Sequence, residues 1–149
     1  MGILLPVDGS ALSLHEVRFA LRLLEEGLRA EFVLANVQEP ASFYEVVTAR
    51  EPALIEKAAH AAGRDMLHEP ARLLNQAGVR FTTTVLRGDP AQAMLDLIAT
   101  HEIELVVMGT RAMGWIREAL ALEGSTSRRL LQHSPVPVLL VKPPVEDEA

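Results

Sequence analysis

The chain has no cysteine in its 149 residues. That excludes a disulfide scaffold, a thiolate nucleophile and a cysteine-bound zinc, and it is compatible with a reducing compartment. Aromatic residues make up only 4%, so the core must be aliphatic. This suits Val/Ile/Leu strands covered by Leu/Ala helices better than an aromatic-rich β-sandwich. No apolar run approaches the roughly 18 residues that a membrane span needs. No basic stretch precedes the first apolar run either, so a signal peptide is not expected and the cytoplasm is the expected location. Basic residues are also few, 14 Lys and Arg against 20 Asp and Glu, for a formal net charge of −6. Only Arg128 and Arg129 stand adjacent. Phosphate-backbone contacts need clustered Lys and Arg, so nucleic acid is not the expected main partner.

What is present is ordinary globular material: 49% hydrophobic and 23% charged residues, in a chain the length of one domain. Short apolar runs bounded by turn residues read as buried strands at residues 1–7, 31–37, 79–86, 103–108 and 136–141. Between them lie helical patterns. Val17, Ala20, Leu21, Leu24 and Leu28 share one helix face, which predicts a helix over residues 11–28. Residues 51–77 form a second helical stretch with Pro70 inside it. Leu67, Leu74 and Ala77 continue the phase of Leu54 and Ala58, which argues for a kink at Pro70 rather than a stop. Gly88-Asp89-Pro90 reads as a turn, an N-cap and a first-turn proline ahead of a third helix burying Ala91, Met94, Leu95 and Ile98. A fourth is expected over residues 125–133, and the acidic stretch 143–149 reads as a frayed tail. Residues 38–50 read as a long loop whose Phe43 and Tyr44 either cover a ligand or pack the loop down.

Five strands alternating with four helices imply a parallel, doubly wound α/β sheet with helices on both faces. Ligands in such sheets sit beyond the carboxyl ends of the strands, where the strand order reverses. That places two segments under scrutiny. Asp8 follows the first strand, where it either receives hydrogen bonds from a ribose or base or satisfies the amides of Gly9 and Ser10. The stretch from Met108-Gly109-Thr110-Arg111 through Gly114 to Gly124-Ser125-Thr126 carries glycines that let backbone N–H groups approach phosphate oxygens. It ends at the expected start of a helix, whose free amides and dipole suit an anion. Ser125 and Thr126 either cap that helix or contact phosphate, and Arg111 and Arg117 are charges of either surface or site.

Several signatures are missing. The chain holds no GxxxxGK[ST] loop, no GxGxxG after the first strand, no HExxH and no GxSxG. Its five histidines, His15, His60, His68, His101 and His133, are scattered over different elements and read as surface or helix-end residues. No catalytic residue and no metal ligand is expected.

Four segments together resemble the universal stress protein family: Ile3-Leu4-Leu5-Pro6-Val7-Asp8-Gly9-Ser10, Gly88-Asp89-Pro90-Ala91, Leu105-Val106-Val107-Met108-Gly109-Thr110-Arg111, and His133-Ser134-Pro135-Val136-Pro137-Val138-Leu139-Leu140-Val141. The resemblance covers residues 1–142. It implies strand order 3-2-1-4-5, four helices and an adenine-nucleotide alpha-hydrolase-like fold. It also implies a homodimer in which last strands, here Val136 to Val141, pair across a two-fold axis. One branch of the family binds ATP or AMP and is marked by Gly-x2-Gly-x9-Gly-[Ser/Thr]. Gly114, Gly124 and Ser125 match the later half of that pattern, whereas four residues rather than two separate Gly109 from Gly114.

By this resemblance, Pro6, Val7, Asp8, Val37, Met108 and Gly109 would hold the adenosine half of a nucleotide. Arg111, Gly114, Gly124, Ser125 and Thr126 would hold its phosphates, with Mg²⁺ accompanying ATP. Three functions are then open: a nucleotide-binding stress-response regulator, a slow ATPase, and a dimer acting through protein partners whose longer loop no longer takes nucleotide.

Overall fold

The computed structural model describes residues 1–39, 52–109 and 132–142. Five strands, β1 (Gly2–Pro6), β2 (Glu31–Gln38), β3 (Phe81–Arg87), β4 (Ile103–Gly109) and β5 (Val138–Val141), form one sheet. All neighbours are parallel, in the order β3-β2-β1-β4-β5. Three helices complete the described architecture: α1 (Ala11–Glu25), α2 (Pro52–Gln76) and α3 (Pro90–Thr100). Of the fourth helix expected from the sequence, residues 132–133 are helical and residues 125–131 lie outside the described set. The expected loop carrying Phe43 and Tyr44 and the tail 143–149 lie outside it too.

The central strands are apolar on both faces because both faces are covered. Side chains alternate along a strand, so Ile3 and Leu5 pack with Val17, Ala20, Leu67 and Leu74 of α1 and α2. Leu4, between them, packs with Ala91, Met94, Leu97 and Ile98 of α3 on the opposite face. Leu97 takes the buried place expected of Leu95, which is half-buried.

Helix boundaries follow local chemistry. Ser10 caps α1 by accepting from the Ser13 amide, and the helix stops at Glu25, three residues before the expected end. The reason is Gly27, whose φ of +111° is open to glycine and which side-chain-bearing residues rarely adopt. The amides of Gly27 and Leu28 then bond back to Leu24 and Leu23, at 3.0 Å each. At α3 the expected cap is in place: Asp89 accepts from Gln92 N–H at 2.8 Å and Pro90 occupies the first turn.

Helix α2 runs unbroken through Pro70. Its buried stripe is Gly63, Leu67, Pro70 and Leu74, a helical spacing that keeps the proline on the core side. The apolar phase does not extend upstream as expected, because Leu54 is 60% exposed and Ala58 is exposed. Length accounts for this: 25 residues rise about 37 Å, whereas an eight-residue strand such as β2 spans about 26 Å. The helix outruns the sheet it covers. At Gly63 it lies so close to β2 and β3 that a Cβ would collide with the side chain of Val85.

One feature of the pairing decides where a ligand could sit. β1 and β4 are paired only as far as Leu4 and Val106. Beyond that, β1 continues against β2 to Pro6↔Ala35, and Val7 N–H still reaches Ala35 O at 2.8 Å. β4 meanwhile continues against β5 to Gly109↔Val141. The sheet therefore opens between the carboxyl ends of β1 and β4.

Candidate functional site

The opening is a cavity of about 260 Å³. Pro6, Val7 and Asp8 line it from the end of β1, Val37 from β2, and Met108 and Gly109 from β4. These are the six positions at which the sequence reading put a nucleoside, and the fold brings them to one place. The five positions expected to hold phosphate, Arg111, Gly114, Gly124, Ser125 and Thr126, lie outside the described residues. A larger hollow of about 870 Å³ lies at the amino ends of the strands, around Met1, Gly2, Glu31, Arg80 and Glu102. It is a surface depression away from the strand reversal, and the topology favours the smaller cavity as the site.

Asp8 is exposed at the mouth of this opening and is also a turn residue. Its Oδ1 accepts from Ser10 N–H at 2.9 Å, from the Ser10 hydroxyl at 2.5 Å and from the Ser13 hydroxyl at 2.7 Å. The Ser13 hydroxyl in turn accepts from Asp8 N–H at 2.9 Å. These bonds clamp the chain as it leaves β1 and starts α1. Gly9 makes the turn possible twice over, with φ of +83° and a missing Cβ that would sit 2.9 Å from Cγ of Met66. Behind the turn, buried Asn36 ties the ends of β1 and β2 together by donating to Val7 O at 2.8 Å, and Gln38 donates to Asn36 Oδ1 at 2.6 Å.

The sequence reading missed Glu16. It stands on α1 with 1% of its surface exposed and lines the cavity. Its Oε1 accepts from Gly109 N–H at 2.8 Å. The bond follows from the parting of the strands. Val106 N–H bonds Pro137 O on the β5 side at 3.0 Å, and alternation along a strand turns Gly109 N–H to the opposite side, toward β1. β1 is no longer there to accept it, and Glu16 does so instead. The other oxygen, Oε2, is buried with no hydrogen-bond partner among the described residues. A signal was present in the sequence: residues 13, 16, 17 and 20 form one helix stripe, so the spacing that buries Val17 and Ala20 buries Glu16 as well.

Burial pushes the Glu16 carboxyl well above the usual carboxylate range. The Gly109 hydrogen bond pulls it back part of the way, and the nearby charge of Asp8 pushes it further up. Among the described residues no group of three His, Asp or Glu side chains could hold a metal, and no helix is long and apolar enough to cross a membrane.

A parallel sheet that parts at its strand reversal, leaving a crevice in the gap, is the doubly wound type of α/β fold whose ligands sit at that point. The sequence model of the universal stress protein family matches residues 1–142, and the chain belongs to that family. A universal stress protein of Methanocaldococcus jannaschii is 27% identical over 145 residues, covering 97% of this chain and 84% of that protein. Two solved structures share the fold. A universal stress protein in complex with cAMP has a TM-score of 0.67 at 23% identity, covering 95% of this chain and 96% of that one. An Arabidopsis thaliana family member with AMP bound has a TM-score of 0.67 at 15% identity, covering 100% and 95%.

The Glu16 environment sets a pH dependence. A carboxyl whose folded-state pKa is raised holds its proton better in the folded protein than in the unfolded chain, where it titrates near about 4.3. Its contribution to stability is full below that value and is lost as pH rises through the raised one. Glu16→Gln keeps the acceptor for Gly109 and cannot ionise. Thermal unfolding should show the stability of the variant relative to wild type rising with pH above about 4.3, because only wild type loses stability there. A difference that stays constant across this range would contradict the assignment.

Proposed function

We propose that this stress-response protein is a regulatory module that binds ATP or AMP in the crevice between β1 and β4. Occupancy of the crevice would tune its contacts with a protein partner in the cytoplasm. The observation that carries this reading is the convergence of Pro6, Val7, Asp8, Val37, Met108 and Gly109 on one cavity at the strand reversal. The cAMP and AMP bound by two proteins of the same fold support it. The nucleoside occupies the described cavity. Arg111, Gly114, Gly124, Ser125 and Thr126 hold the phosphates, with Mg²⁺ carried by ATP. Residues 1–142 form the binding domain and residues 143–149 a tail outside it.

The second part of the proposal is a homodimer through β5. This strand stands at the sheet edge. Val138, Leu139 and Leu140 are half-buried there, on a strand with no outer neighbour among the described residues. Pairing identical strands across a two-fold axis closes that edge in a self-complementary way. Pro135 and Pro137 lack the N–H needed to pair, so Val138 to Val141 rather than Val136 would form the seam.

Two measurements test these readings. Titration calorimetry should show wild type binding adenosine, AMP and ATP. Asp8→Asn keeps an acceptor for the turn but removes the charge, and it should weaken all three by about ten- to a hundredfold. A wild type that binds none of them and carries no nucleotide through purification would overturn the proposal in favour of the partner-only dimer. Sedimentation should show a wild-type dimer that Val138→Lys with Leu140→Lys converts to monomer. A wild type already monomeric at high micromolar concentration would remove the dimer.

A further inference from the structure

Glu16 has one oxygen committed and one without a partner. Oε1 accepts from Gly109 N–H at 2.8 Å, and Oε2 is buried without a hydrogen bond among the described residues. Buried polar groups are almost always satisfied, and the exceptions call for an explanation. Glu16 lines the cavity at the end of β4, so a molecule entering the cavity comes within reach of this carboxyl.

The charges around it decide what that molecule presents. Asp8 from β1 and Glu39 beyond β2 line the same cavity. β4 and α3 contribute only uncharged groups to the lining, Met108, Gly109, Pro90 and Met94. α2 and β5 pack against α1 but bring no charged group to it. Asp8 and Glu39, with no lining cation among the described residues, disfavour a phosphate at this spot. A neutral surface that offers a hydrogen-bond acceptor suits an unionised carboxyl.

We propose that Glu16 is a neutral carboxylic acid that donates its Oε2 proton to an uncharged acceptor of the bound nucleoside, a ring nitrogen or a hydroxyl oxygen, so that occupancy of the crevice is linked to retention of that proton. The proposal rests on the nucleotide reading above and adds to it a specificity-determining donor. Its physical logic is reciprocal. The unionised acid is the form that burial favours, and a ligand that accepts from it ties the proton down further. Conversely, ionising Glu16 removes the donor and places a buried negative charge near that of Asp8. Binding then weakens as pH rises, by up to tenfold per pH unit once Glu16 is ionised in the free protein.

Adenosine is the probe, because it has no phosphate whose own titration would confuse the result. Calorimetry on the intact protein at about pH 5.5 and about pH 8.5 should show wild-type affinity lower at the higher value. Glu16→Gln keeps both the acceptor for Gly109 and an N–H donor at the other position. It should bind adenosine equally at the two values, near the wild-type affinity at the lower one. Glu16→Ala should bind weakly at both; should it fail to fold, Glu16→Gln carries the test.

Adenosine affinity left unchanged by Glu16→Ala would overturn the role of Glu16 and leave the nucleotide site standing. So would a pH dependence that survives in Glu16→Gln, since it would belong to Asp8 or Glu39. Absence of adenosine binding by wild type at either value would overturn the nucleotide reading itself and this proposal with it.

Discussion

The parting of β1 from β4 is the constraint on which the rest of the molecule depends. Up to Leu4 and Val106 the two strands share a ladder. Beyond, each stays with its outer neighbour, and the gap between them is the described opening at the carboxyl ends that faces the strand reversal. A parting of this kind leaves backbone groups without their strand partners, and each must be satisfied some other way. Gly109 N–H, turned toward the gap, goes to Glu16. A side chain that lines the pocket is thus first of all a substitute for a missing sheet hydrogen bond. On the other wall, Asn36 keeps the end of β1 tied to β2 by donating to Val7 O.

The same economy links structure to chemistry in the turn after β1. Asp8 organises the Ser10 and Ser13 hydroxyls and, through Ser10, the start of α1. The helix so positioned carries Glu16 one turn further on, at the end of β4. One short segment thus sets the mouth of the crevice and its floor. The electrostatic consequence is a cavity whose described ionisable groups, Asp8, Glu16 and Glu39, are all acidic, with no lining cation among the described residues. A neutral nucleoside suits such a cavity better than a phosphate does.

The α/β class, the parallel sheet and the cap-proline start of α3 were legible because their signals are local: apolar runs, turn residues and an N-cap. The strand order came with the family resemblance and agrees with the sheet. What local signals could not carry was set by tertiary geometry. The apolar phase assigned to Leu54 and Ala58 failed because a 25-residue helix is longer than the strands beneath it. The end of α1 was read too late because Leu28 matches the helix period, although Gly27 turns the chain first. At the site, the six nucleoside positions were placed by the resemblance and meet in one cavity. Glu16 was not legible because a charged residue at a helical position is usually exposed, whatever its neighbours on the stripe. Its burial makes sense only once β1 and β4 are seen to separate.

The central claim is that the gap between β1 and β4 is where an adenine nucleotide's nucleoside sits. Its most direct test is an amide NMR titration of the intact protein with adenosine. The account predicts that the largest shifts fall on Asp8, Val37 and Gly109, around the gap. Shifts confined to the opposite ends of the strands, around Gly2, Glu31 and Glu102, would contradict it.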